Sequence, residues 1–392
     1  MHFIKWMSIG FLSTALVACT TIDHRSETLP KKPLPVVTGN VMNTKVVWSN
    51  SQSAGLGKSH GKLRLGVAGS QIIVADHKGK ILSLDPKTGK THWEIATKQP
   101  ITAGPSVIHE QVVVGTQDGH VLAFQLANGA KRWESTVHGS ILASPQGNSE
   151  AVFVHVMDGS VFAFRADDGK ELWRYVSHTP PLMLRRSSSP VVYKNHVLVG
   201  FATGKLKALD KKDGVPDWER EIGVSEGRSD PQRMLDISAD PVVKDNRIYA
   251  VSYQGKIAAL QGDTGKLIWE QPLSSHSGIA TSHQDLFVSD HTGVLWALAQ
   301  NSGQVLWKQE ALYGRQLSAP ALLDNFVLVG DEEGYLHWIS KRDGTYVGRI
   351  KVDGSGIEAT PIIKDNILYV LSRGGKIVAY TVSPIEDIAK RS

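Results

Sequence analysis

The sequence predicts an all-β fold: a single eight-bladed β-propeller of four-stranded antiparallel blades, closed by pairing an N-terminal strand with the C-terminal blade. Three observations carry this expectation. A glycine turn, an apolar strand, a second glycine turn and a tryptophan recur in that order along the body. The recurrence has a period near 40 residues, which suits four short strands and their turns. Finally, the two kinds of turn are unequal in number, as they must be if a ring is joined through its own termini.

Taken in chain order, the first element is not part of the ring. Met1–Lys5 is short and positive, and Trp6–Val17 is an apolar run too short to span a bilayer as a helix. Residues 1–18 therefore read as a signal peptide, cut before Cys19. The stretch Leu16-Val17-Ala18-Cys19 resembles the lipobox of bacterial lipoproteins, whose cysteine thiol receives diacylglycerol and whose freed amino group is then acylated. Three acyl chains hold a membrane far more firmly than one. In that class, Thr20 rather than Asp after the cysteine implies sorting to the outer membrane. Cys19 is the only cysteine, so no disulfide is expected and stability must come from packing. Residues 19–43 are polar and punctuated by Pro30, Pro33 and Pro35, which reads as a tether.

The ring is expected over residues 44–382, followed by a tail of residues 383–392. The first turn occurs eight times, at Gly79, Gly119, Gly159, Gly204, Gly255, Gly293, Gly334 and Gly375. Several are Asp-Gly or similar pairs between apolar strands, a strong hairpin signal because glycine readily takes the positive φ of a tight turn. The second turn occurs seven times, as Thr88-Gly89, Asn128-Gly129, Asp168-Gly169, Asp213-Gly214, Thr264-Gly265, Ser302-Gly303 and Asp343-Gly344. The first six are followed by Trp93, Trp133, Trp173, Trp218, Trp269 and Trp307, whereas the seventh has Gly348 in that place. The last repeat stops after its third strand, and Lys45-Val46-Val47-Trp48 resembles an orphan fourth strand. Pairing the two gives eight blades and removes the open edges that template aggregation. Trp48 and the six tryptophans above are expected to dock neighbouring blades, since large aromatics dominate such packing.

Function is expected where the period fails. Successive second-turn glycines are 40, 40, 45, 51, 38 and 41 residues apart. The two long intervals place inserts at about His178–Ser189 and Val224–Ser238, each after a fourth strand and before the next first strand. In up-and-down blades those connections share a face with the eight first turns, so the inserts should stand side by side. The first carries Leu182-Met183-Leu184-Arg185-Arg186 behind two prolines, and the second mixes charge with Met234 and Leu235. Arginine and methionine are enriched in interfaces, and a few anchors dominate affinity. Folding of Leu182, Leu184 and Leu235 down onto the ring is the competing reading.

Other function classes fit less well. A formal charge of +5 is spread over the chain with no Lys/Arg run longer than two, so no basic groove for nucleic acid is expected. The Gly-x-x-x-Trp turn resembles the docking repeat of quinoprotein alcohol dehydrogenases, which makes a quinone-dependent oxidoreductase the main rival. Those enzymes carry adjacent cysteines and acidic calcium ligands, and one lipidated cysteine cannot supply the pair. His276, His283 and His291 form no ligand-spaced motif, and no nucleophile elbow, phosphate loop or dinucleotide fingerprint is present. No catalytic residue, metal site or bound cofactor is expected, beyond lipid on Cys19. A lipoprotein binding cell-envelope ligands such as polysaccharide is a further alternative.

Lipobox, proline-containing tether, eight quinoprotein-like blades and absent cofactor residues together resemble the BamB family, the lipoproteins of the outer-membrane β-barrel assembly machinery. The resemblance implies a non-enzymatic periplasmic scaffold, anchored in the outer membrane, that binds the periplasmic domains of BamA alongside the other subunits. It further implies help in delivering unfolded outer-membrane proteins. The family's BamA-binding loop has a Leu-x-Leu-Arg pattern, matched by Leu182-Met183-Leu184-Arg185, with Arg186 beside it. A second family contact has an Asp-x-Asp form, of which Asp236 matches while Ser238 replaces the other acid.

Overall fold

The computed structural model describes residues 29–37, 42–57, 61–180, 182–223 and 235–384. Cys19, the segment read as a signal peptide, most of the second insert and residues 385–392 of the expected tail lie outside these residues, while Ser383 and Pro384 belong to the last strand. Eight antiparallel sheets follow one another around a ring. Blade I comprises strands Gly66–Ala68, Gln71–Ala75, Lys80–Leu84 and Thr91–Ala96. Blades II to VII repeat this order, their fourth strands being Lys131–Thr136, Glu171–Tyr175, Pro216–Glu221, Leu267–Pro272, Val305–Gln309 and Tyr346–Lys351. Blade VIII takes three strands from the end of the chain, and Met42–Asn50 supplies its fourth. The expected closure is therefore present. Its ladder reaches further than the sequence indicated, from Met42 opposite Pro384 to Asn50 opposite Ile377.

The middle strands are largely buried on both faces, as in the run Ile72–Ala75, whereas fourth strands are mostly exposed or half-buried except at the position of the docking tryptophan, buried in Trp133 and Trp173 among others. Burial is organised between blades rather than within them. Eight apolar clusters each straddle one junction; Val113 and Trp133 of blade II, for example, pack with Val152 and Phe164 of blade III. Another joins Trp48 and Tyr369 of blade VIII to Ile72 and Leu82 of blade I.

One joint recurs at these junctions. The indole of Trp133 lies on Gly169 of the next blade and its N–H donates to Ala166 O at 2.8 Å. Trp48, Trp93, Trp173, Trp269 and Trp307 repeat the arrangement on Pro86, Leu126, Lys211, Gln300 and Lys341. Trp218 lies on Gly265, but its N–H has no acceptor among the described residues. A side chain on Gly169 would sit 2.5 Å from the ring of Trp133, at a φ of 72° that already favours glycine. Beside the joint position, every blade slips register by one residue between its third and fourth strands. Such bulges re-aim a side chain.

The missing tryptophan at Gly348 has the same origin as the missing second turn. Each indole of the series docks on the turn joining strands three and four of the following blade. In blade VIII those strands are the two ends of the chain, so no such turn exists to receive one. The large residue moves across the pair instead. Elsewhere the tryptophan faces a small residue on strand three, such as Ala123 opposite Trp133, whereas Trp338 on strand three faces Gly348. Trp338 is buried with Met42 and Tyr380 at the VII–VIII junction. Two outcomes follow for denaturant unfolding. Trp133→Ala should lose about 3–5 kcal/mol, a large share of a typical net stability. Gly348→Trp should destabilise rather than strengthen the seam, because its ring finds no turn to dock on.

Candidate functional site

The inserts occupy the face that carries the first turns. Within the first, Leu182 and Arg185 are exposed while Met183, Leu184 and Arg186 are half-buried. Met183 and Arg186 line a small cleft with His155, His178, Phe201 and Asp236, which tucks them against blades III and IV. Arg186 also borders the central channel. The loop thus presents Leu182 and Arg185 outward from a backbone held at its other residues. It is pinned at both ends: Thr179 Oγ1 donates to Asp158 O, and Ser188 O meets His155 Nδ1 at 2.9 Å.

The two inserts meet as the interval pattern placed them. The Leu184 amide donates to Asp236 Oδ2 at 3.2 Å, and Asp236 in turn accepts through its carbonyl from the Tyr253 amide at 2.8 Å. Asp236 is only 1% exposed, so its carboxyl faces the first insert and not solvent. Burial pushes its pKa up to about 7, with the Leu184 amide and the distant charge of Lys62 pulling the other way. Leu235 is buried over Gly204, and Ser238 is buried with its hydroxyl unpartnered among the described residues. Residues 224–234, including Met234, lie outside the described residues.

Sequence reasoning missed a peg across the central channel. Lys62–Leu63 forms a short strand parallel to Ala103 and Gly104 on the inner edge of blade II. From there Lys62 Nζ reaches Ser187 O at 3.2 Å, Ser238 O at 2.8 Å and Asp240 Oδ1 at 2.7 Å, which lead into blades IV and V. Asp240 also accepts from the Ser189 amide at 2.6 Å and pairs with Arg64 at 3.7 Å. Burial lowers the Lys62 pKa and Asp240 only partly offsets it; burial would raise Asp240, but Lys62 and Arg64 outweigh that and hold it low. The peg ties down both insert roots, Ser187 and Ser238. Nothing in the repeat announces it, because Gly61-Lys62-Leu63 lies before the first glycine turn.

The peg leaves a channel cavity of about 210 Å³, bordered by Arg64, Arg186, His276, Glu332 and Glu358 among others. Its donor set does not suit a quinone–calcium centre. No group of three or more His, Cys, Asp or Glu among the described residues is placed to hold a metal ion. Of the acids there, Glu332 Oε2 accepts from the Gln316 amide at 2.8 Å and Glu358 pairs with Arg373. His276 and His291 pack against the ring of Tyr253, and burial, with Arg186 and His291, drops the His276 pKa to about 4.

Asp236 generates a pH prediction. Its folded pKa of about 7 lies above the unfolded carboxylate value near 4. The neutral carboxyl therefore gives stability that is complete below pH ~4 and is lost as pH rises through 7. Asp236→Asn keeps an acceptor for Leu184 and should match the parent only below pH ~4. By pH 8.5 it should be the more stable by roughly 2–4 kcal/mol in chemical unfolding, and parallel curves would remove this assignment.

Comparison with known proteins bears on this geometry. The family described as outer membrane protein assembly factor BamB matches residues 39–140, 77–309 and 297–383. The BamB of Pseudomonas aeruginosa is 44% identical over 379 residues, covering 97% of this chain and all of that protein. The BamB of Alkalilimnicola ehrlichii is 48% identical over 349 residues, with 89% and 91% covered. Among solved structures, BamB from Moraxella catarrhalis superposes with a TM-score of 0.80 at 25% identity, covering 86% of this chain and 100% of that one. A quinohemoprotein alcohol dehydrogenase from Comamonas testosteroni, at 13% identity and a TM-score of 0.70 over 89% and 78% of the two chains, shares the fold alone. The chain belongs to the BamB family of outer membrane protein assembly factors and is not an enzyme.

Proposed function

We propose that the protein is a scaffold lipoprotein of the outer-membrane β-barrel assembly machinery, held by lipid on Cys19 and facing the periplasm. Its first insert binds the periplasmic domains of BamA, and through them the protein meets the other subunits and assists delivery and insertion of unfolded barrel proteins. Leu182 buries its exposed side chain in the partner, Leu184 packs at the margin, and Arg185 meets an acidic or carbonyl group. Arg186 and Asp236 act from behind, as supports of the loop. The observation that carries this reading is the outward presentation of Leu182 and Arg185 from a backbone fixed through Asp236 and, at its root, Lys62. A preformed loop loses less conformational entropy on binding than a free one, and a large apolar side chain beside an arginine suits the centre of an interface.

Replacing Leu182 by Ala together with Arg185→Glu should abolish co-purification with BamA while leaving the unfolding midpoint within a few degrees of the parent. Retained binding by that folded variant would falsify the loop assignment. Cys19→Ala combined with Leu182→Ala and Arg185→Glu should release the protein from envelope membranes, since it removes both proposed attachments.

A further inference from the structure

The proline-containing segment before the ring is docked. Residues 29–37 lie across blades VI and VII on the insert-bearing face, over the connection that follows Val305–Gln309 and the first turn around Gly334. The Lys32 amide donates to Tyr313 O at 3.0 Å, and Arg349 Nη1 donates to Pro35 O at 2.6 Å. Lys31 Nζ pairs with Glu332 at 2.6 Å and Glu333 at 3.2 Å, while Lys32 pairs with Glu310 at 3.6 Å. Leu34 packs on the apolar cluster of the VI–VII junction. Gly314, at a φ of 82°, leaves room for the strap: a Cβ there would stand 2.5 Å from Pro30 O.

We propose that this segment is a strap that turns the insert-bearing face of the disc toward the lipid bilayer and keeps it close. The inference rests on acylation of Cys19. Ten peptide steps separate Cys19 from Leu29, and a chain spans at most ~3.4 Å per step, so the leash is no longer than about 34 Å. With the strap undone, the 23 steps from Cys19 to Met42 would allow about 78 Å. The leash leaves the ring on the face that holds Leu182 and Arg185, so a partner docked there lies on the membrane side of the disc. The turns of the second series, Asp213 among them, point away from the bilayer.

The test uses the full acylated chain in phosphatidylethanolamine–phosphatidylglycerol vesicles. Acylation consumes the Cys19 thiol, so Gln316→Cys, on the insert-bearing face, or Asp213→Cys, on the far face, supplies the only free thiol for a fluorophore. Strands of five or six residues put the faces about 20 Å apart, and energy transfer to a headgroup acceptor should be about twofold or more stronger from position 316. Lys31→Glu with Lys32→Glu should bring the two positions toward equality, and equal transfer in the parent overturns the proposal. A second arm omits the membrane. In an unacylated Cys19→Ala chain, spin labels at Pro33 and Arg342 should report one narrow distance that broadens in the Lys31→Glu, Lys32→Glu variant. A broad distribution in the parent overturns the strap itself. A narrow distance combined with failure to hold vesicles overturns the acylation reading, and the leash with it.

Discussion

The seating of an indole on the glycine turn of the next blade is the interaction on which the rest of the ring depends. Each joint buries a large apolar area, all but that of Trp218 add one hydrogen bond to a carbonyl, and together they fix the angle between sheets that share no ladder. The seating also explains two features of the repeat at once. The second-turn glycine is required because the ring of the preceding blade occupies the space of a side chain, and the tryptophan is required because little else fills that space. With a lone cysteine near the start of the chain, no covalent staple shares the task.

A ring held in this way leaves its two faces free to vary, and the face bearing the inserts departs most from the repeat. Three chain segments converge there from different parts of the sequence: the first insert, the descending end of the second, and the Lys62 peg. Their polar contacts are unlike those of the blades. Lys62 satisfies two carbonyls and a carboxylate at a half-buried position on the channel wall, an arrangement that is costly if one partner is lost and specific in geometry when all are present. Asp236 plays the corresponding part for the first insert. The exposed residues of that loop are thereby carried by a rigid base, although they lie on irregular backbone.

How much of this was legible in the sequence depended on range. Hairpins are local, and glycines such as Gly119 and Gly159 declare them within a dozen residues. Closure spans 336 positions between Thr381 and Lys45, yet it was legible because a mismatch in counting demanded it. The inserts showed as excess length. Lys62 and Asp240, 178 positions apart, leave no such trace, since a single lysine before a strand carries no periodic signal. Trp338 opposite Gly348 was equally hidden, because the exchange of large and small is visible only once the strands are paired. Prolines at positions 30, 33 and 35 read as a linker, and the acids that hold Lys31 and Lys32 lie some 300 residues downstream.

The composite eighth blade has a further consequence, for biogenesis. The strand that completes the ring is made first and its partner last. A chain emerging from a translocation channel N-terminus first carries Met42–Asn50 without its ladder until Ile377–Pro384 arrives. Contacts of such long range form slowly, and an open blade exposes two unpaired edges. Any product truncated before its final strand is left as an unsealed arc, so the strand Ile377–Pro384 acts as a checkpoint on the integrity of the ring.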